Sequence, residues 1–317
     1  MTAAAIKELA LSLGFSHCGI APADVLSEIE LKQYQQVIKQ QFHGEMHYLE
    51  RNPAARFNPR SLLPSCRSVI VCLYPYFTNH QPAHDYRFAK YAQITDYHKL
   101  IKEKIAIIAE ALLSNKIAAQ CKITVDSSPI SEKQWAVAAG VGVMGKNSLI
   151  HNEQGSFFVI GLLLSDVVLE YDTPQNGGMS DCGSCEQCIK ACPTHALDIP
   201  FQLDARCCFS YLSTTKAPLS EADLPPDKRI YGCDICQEVC PKNSHAIVNK
   251  DTEKYLANYL SYSNLELQSL TEPQFRVLFK DTPLARMGFE KWKLLLQKKN
   301  WLKEKIKIVD VVIKSIL

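Results

Sequence analysis

An α/β fold with a cysteine-rich module set late in the chain is what this sequence predicts, and three patterns predict it. Short apolar runs of strand type alternate with amphipathic helical periods through about residue 175. Cysteines then crowd into two tight runs between Asp181 and Pro241. From about Tyr262 the apolar positions recur at helical spacing. The 317 residues therefore divide into a mixed-sheet α/β domain over 1–175, a cysteine module over 176–250 and a helical region over 251–317.

The first domain can be laid out element by element. Residues 2–13 read as a helix stopped by Gly14, and residues 26–41 as a second. The run Ser68-Val-Ile-Val-Cys-Leu-Tyr74 reads as a buried strand. Asp96 caps a helix with Leu100, Ile101, Ile105, Ile108 and Leu112 on its apolar face. A strand over 121–125 delivers Asp126 at its end, and Ser131 caps a helix from Glu132 to Ala139 that Gly140 ends. Gly142 and Gly145 form a tight loop, residues 157–169 read as a pair of strands broken near Asp166, and Asn176-Gly-Gly178 links to the next module. In the last region Phe289, Trp292 and Leu296 share one helix face, the pattern of a core stripe.

Composition narrows the functional class. Hydrophobic content of 47% with 21% charge is that of an ordinary soluble protein, and a net charge of +2 makes no whole-chain case for nucleic acid. The N-terminus carries no basic region ahead of a long apolar run, so neither export nor a membrane span is expected. Thirteen cysteines without an export signal place the protein in a reducing cytoplasm, where thiolates serve metals. Lysines at 291, 293, 298, 299, 303, 305 and 307 crowd the final stretch, as a solvated helix face or as a contact for phosphates.

The cysteine runs carry the most specific signal. Cys182, Cys185, Cys188, Cys192 and Pro193 follow the C-x2-C-x2-C-x3-C-P spacing of ferredoxin-like proteins, whose fourth cysteine serves a second cluster. The second run, Cys233, Cys236 and Cys240, lacks its leading cysteine because Ile230 stands there, and Cys208 is the substitute. Crossed ligation then assigns Cys182, Cys185, Cys188 and Cys240 to one [4Fe–4S] cluster, and Cys192, Cys208, Cys233 and Cys236 to another. Paired C-x2-C also fits structural zinc, but zinc needs neither the full run nor the closing prolines. Cys18, Cys66, Cys72, Cys121 and Cys207 are left outside both sets.

A two-cluster module carries electrons, so the first domain must hold the reaction. It contains neither a G-x-G-x-x-G nor a G-x4-G-K-[ST] loop. The candidate is Asp126-Ser-Ser-Pro129 with Glu132, Lys133 and Trp135, followed by Gly145-Lys146-Asn147. A carboxyl at a strand end ahead of a glycine loop can face a cleft as a general acid, although taken alone an Asp before Ser-Pro is usually plain turn chemistry.

These stretches, with Arg56-Phe-Asn-Pro-Arg60-Ser-Leu-Leu-Pro64, Tyr91-Ala92, Asp96-Tyr97-His98 and Ile230-Tyr-Gly-Cys233, resemble epoxyqueuosine reductase across about residues 50–290. The resemblance implies a cobalamin-dependent iron–sulfur enzyme that reduces epoxyqueuosine at the tRNA wobble position to queuosine. It makes Asp126 the proton donor, its pKa raised by burial beside the corrin. It places Arg56, Tyr91, Tyr97, His98, Asp126, Lys133, Lys146 and Ser210 around the cobalamin, with Lys133 standing where the family has arginine. Electrons would come from an external low-potential donor of flavodoxin or ferredoxin type. Family members with C-terminal helical repeats grip tRNA with them, and this sequence ends at Leu317 without such repeats. Reductive dehalogenases share this cofactor pairing but carry export signals. An electron-transfer subunit with a docking domain is the reading of a different class, and bound cobalamin would reject it.

Overall fold

The structure, a computed structural model, describes residues 1–297 apart from positions 25, 27, 127, 216–218 and 220–226. The first domain comprises α1 (Ala3–Ser12), β1 (His17–Pro22), α2 (Glu28–Lys39), β2 (Ser68–Pro75), β3 (Arg87–Phe88), α3 (Tyr97–Ser114), β4 (Cys121–Thr124), α4 (Glu132–Ala138), β5 (Val143–Met144), β6 (Ile150–His151) and β7 (Phe158–Ser165). Four of these strands form one sheet in the order β1-β2-β7-β4, and every pairing in it is antiparallel. The expected mixed sheet is thus an antiparallel one, with the parallel pairing confined to a separate two-stranded ribbon.

The run 68–75 becomes a central strand because all eight of its residues can be buried, on both faces. Its alternation sends Ile70, Cys72 and Tyr74 to the layer of α1 and α3, with Ile6, Ile101, Ile105 and Ile108. Val69, Val71 and Leu73 go to the opposite layer, with Trp135, Ala136 and Leu162. Residues 157–169 give one strand, β7, where two were expected. Pairing with both β2 and β4 holds it straight to Ser165, and the chain leaves the sheet at Asp166.

Close approach of α4 to the sheet demands a residue without a side chain on β1. A Cβ on Gly19 would lie 2.0 Å from the Ala139 carbonyl oxygen and 2.7 Å from Val141 Cγ1. Backbone cannot retreat as a flexible side chain can, so Gly19→Ala is expected to cost about 1–3 kcal/mol, read as a lower denaturant midpoint at unchanged m-value. An unaltered midpoint would mean that α4 shifts freely.

The remaining elements are α5 (Gln187–Ala191), α6 (Phe209–Thr214), β8 (Arg229–Tyr231), α7 (Ile235–Glu238), α8 (Lys250–Glu253), α9 (Asn264–Gln268) and α10 (Glu272–Phe279). Strand β8 pairs in parallel with β3, and the segment carrying β3 enters the same apolar cluster as the C-terminal helices. In that cluster Phe88 and Tyr231 pack with Tyr259, Phe279 and Trp292, and Trp292 lies 5.1 Å from the Phe279 ring. The stripe of Phe289, Trp292 and Leu296 is therefore core. Lys291 belongs to it as well: it is buried and its Nζ donates to the carbonyls of Leu212 and Thr215. The lysines at 298, 299, 303, 305 and 307 lie outside the described residues. Among the described residues, no helix is long and apolar enough to cross a membrane.

Candidate active site

The edge strand β4 hands the chain to a turn in which Asp126 adopts φ +53°, the left-handed region that aspartate tolerates better than most residues. Glu132, at the start of α4, secures that turn by accepting the Asp126 backbone N–H at 2.7 Å. Ser131 occupies the expected N-cap position, but its hydroxyl bonds Gln134 instead of capping the helix.

The Asp126 carboxylate is thereby aimed at the first turn of α3. Tyr97 Oη donates to its Oδ2 at 2.5 Å, and His98 Nε2 lies 3.2 Å from the same oxygen. The Tyr97 and His98 rings are stacked at 4.2 Å. On its far side His98 Nδ1 sits 2.7 Å from Oδ1 of Asp96, which caps α3 as expected.

Hydrogen bonds govern the Asp126 carboxyl in this geometry. Crowding by protein opposes ionisation most, yet the bonds from His98 and Tyr97 and the charge of His98 together outweigh it and hold Asp126 down to about 2. Its neighbour Glu132 is pushed well up, by burial and then by the Asp126 charge. Burial lowers Lys133 in turn, against the pull of Asp126 and Glu132. Its Nζ donates to the Ser148 carbonyl at 2.7 Å.

Asp126 and Lys133 line a cleft of about 340 Å³ together with Tyr91, Tyr97 and Ser210. Glu132 and residues 158–160 of β7 line it too, as do Tyr76, Thr214, Tyr231 and Arg286; of these last four only Tyr231 lay in a stretch that the sequence had singled out. They come from four separate segments, so only the folded chain assembles them. Three predicted residues do not line it: His98 stands behind Asp126, and two lie elsewhere. Arg56 is buried between the rings of Tyr34 and Tyr48 and donates to the Tyr48 carbonyl at 2.7 Å. Lys146 turns away to the Gly183 carbonyl, at 2.8 Å, beside the first cysteine run.

Behind the cleft, and sharing Tyr76, Tyr91 and Ser210 with it, is a second cavity of about 200 Å³. Four cysteines line it: Cys192, Cys208, Cys233 and Cys236. Cys207 does not line it and is exposed. Burial pushes the Cys236 thiol far up, with help from Cys233 and Cys208, while Cys233 is pushed up to about 11. Buried thiols that oppose one another's ionisation need a cation at their centre to stay together as thiolates. The other cysteines form a second neighbourhood. Cys240 is raised by burial and by Cys182 and Cys185, and Cys188 by burial and by Cys240 and Cys182. Of those left outside both sets, Cys18 and Cys72 face each other across β1 and β2 with sulfurs 3.7 Å apart, and Cys66 is buried.

Comparison with known proteins agrees with this layout. A family model described as epoxyqueuosine reductase QueG matches residues 56–127, and one described as a 4Fe-4S double cluster binding domain matches residues 181–243. The epoxyqueuosine reductase of Leadbetterella byssophila is 37% identical over 290 residues, covering 90% of this chain and 94% of that protein. A crystal structure of epoxyqueuosine reductase with an epoxyqueuosine-modified tRNA-Tyr stem loop matches at a TM-score of 0.80 and 26% identity, over 92% of this chain and 79% of that one. The Bacillus subtilis enzyme, solved with the catalytic loop that bears its aspartate swung out of the active site, matches at 0.75 and 26%, with the same coverage. A site built around a cleft-facing aspartate, ahead of a double-cluster domain and within a chain of this identity and coverage, leaves one conclusion: the chain belongs to the epoxyqueuosine reductase family.

Proposed function

We propose that the Asp126 cleft is where epoxyqueuosine in tRNA is reduced to queuosine, and that electrons enter it from the cysteine-lined cavity behind. The shared wall of Tyr76, Tyr91 and Ser210 supports this reading, because a cluster held by the four cysteines behind it would lie directly against the reaction space. Cys192, Cys208, Cys233 and Cys236 are the ligands assigned to the inner [4Fe–4S] cluster, and Cys182, Cys185, Cys188 and Cys240 to the outer one. An external low-potential donor of flavodoxin or ferredoxin type feeds the outer cluster.

The cleft fits a cobalamin by the character of its walls: aromatic faces from Tyr76, Tyr91 and Tyr231 with polar groups from Lys133 and Ser210. These residues would hold it, and when bound it supplies a low-valent cobalt able to activate the epoxide carbon. The work of the chain's own residues follows from their positions. Asp126, on a turn pinned by Glu132, delivers a proton to the departing epoxide oxygen. Tyr97 holds the Asp126 carboxylate towards the cleft. A base read in this pocket must leave its stack, as it does for other base-modifying enzymes. The swung-out aspartate loop of the Bacillus subtilis relative supports a turn that moves to admit the nucleoside.

Titrating the anaerobically reconstituted protein with cob(II)alamin tests the cofactor. One equivalent should bind with a changed absorption spectrum, and Lys133→Glu should weaken binding at unchanged iron content. No spectral change on titration would remove cobalamin from the site.

A further inference from the structure

Asp126 is held ionised, so the proton it delivers must reach it from a neighbour. Tyr97 is a poor source, because burial and the Asp126 charge push its phenol far above the usual range. His98 is arranged differently. Its Nε2 faces Asp126 Oδ2 at 3.2 Å and its Nδ1 faces Asp96 Oδ1 at 2.7 Å. An imidazole with a carboxylate against each nitrogen donates from both, and only the doubly protonated ring can do so. Burial opposes that charge, but hydrogen bonds from the ring to Asp126 and Asp96 overcome it and raise the His98 pKa. Arg286 also faces His98, with Nη2 3.1 Å from Nδ1 and 3.5 Å from Asp96 Oδ2; its positive charge opposes that of the ring, and the Asp96 carboxylate shared by the two cations offsets this. Arg286 pairs with Asp96 from the cleft wall. Asp96 is also fixed through its backbone N–H to the Asp281 carbonyl and through its cap bond to the His98 N–H.

We propose that His98 stores the proton consumed in epoxide reduction and passes it from Nε2 to Asp126 Oδ2, while Asp96 holds the ring in register. The proposal rests on the cleft being the reaction site. Each turnover breaks both carbon–oxygen bonds of the epoxide and releases water, using a pair of electrons from the clusters and a pair of protons. The first proton moves from His98 Nε2 to Asp126 and on to the oxygen. His98 takes another from solvent, and the second proton follows the same route.

Single-turnover rates on an epoxyqueuosine stem loop, measured against pH with the reconstituted holoenzyme, test this. The parent should slow as pH rises through the His98 pKa, above the ordinary 6.5. His98→Gln should turn over about 10²-fold more slowly and lose that alkaline limb, with iron content, cobalamin content and stem-loop affinity unchanged. Asp96→Asn still caps α3 but removes one carboxylate, so it should keep turning over with the limb moved to lower pH. In the double variant with Asp126→Asn, His98→Gln should add no further loss, because both changes interrupt one path. An alkaline limb at the parental pH in both His98→Gln and Asp96→Asn, or multiplied losses in the double variant, would overturn the relay. If instead the parent fails to reduce the stem loop at any pH, the reading of the cleft itself falls.

Discussion

Asp126→Asn is expected to assemble its clusters and bind cobalamin as the parent does, while epoxide reduction falls about 10²–10⁴-fold. The amide keeps the size of the carboxylate and an oxygen that can accept from Tyr97 Oη, now at 2.5 Å from Oδ2. What it loses is the ability to take a proton from His98 and give it up again. The turn itself should survive, since Glu132 accepts the backbone N–H of residue 126 at 2.7 Å and that bond does not depend on the carboxylate. Glu132→Gln retains that acceptor and should cost far less in the same assay, whereas Glu132→Ala releases the turn. Nucleoside analysis of the product after a single turnover reads all three variants. Near-parental conversion by Asp126→Asn, with the stem loop still bound, would take the proton-donating role away from Asp126.

The second large effect concerns the crossed cysteines. Cys240→Ala should lose the outer cluster and keep the inner one, although Cys240 is only four residues from Cys236. Cys208→Ala should lose the inner cluster, which adjoins the cleft, and abolish turnover. In each case iron falls from about eight to about four per chain, and electron paramagnetic resonance of the reduced protein separates the cluster that remains. Cys207→Ala should leave both in place, because Cys207 is exposed and off the cavity wall. Loss of the inner cluster's signal in Cys240→Ala would contradict the crossed assignment.

Local signals in the sequence carried much of this. The capped helix behind Asp96, the buried run 68–75 and the cysteine spacing are each written in adjacent residues, and the structure has all of them in place. The antiparallel order of the sheet was not legible, because a strand fully buried on both faces looks the same whichever way its neighbours run. The charge state of Asp126 was hidden for a related reason: its partners Tyr97 and His98 stand 29 and 28 positions away by chain number, so burial alone was visible. Likewise Arg286 reaches His98 only because the C-terminal segment folds back over α3. Lys291 shows the converse error, a lysine in a basic run whose amine is spent on two carbonyls inside the core.

The most direct measurement incubates the anaerobically reconstituted protein with an epoxyqueuosine-bearing anticodon stem loop and a low-potential reductant, followed by mass spectrometry of the released nucleosides. The expected result is loss of one oxygen atom to give queuosine, dependent on cobalamin and on iron–sulfur reconstitution and nearly absent in Asp126→Asn. An unreduced epoxide under those conditions, or conversion that proceeds equally without cobalamin, would contradict it.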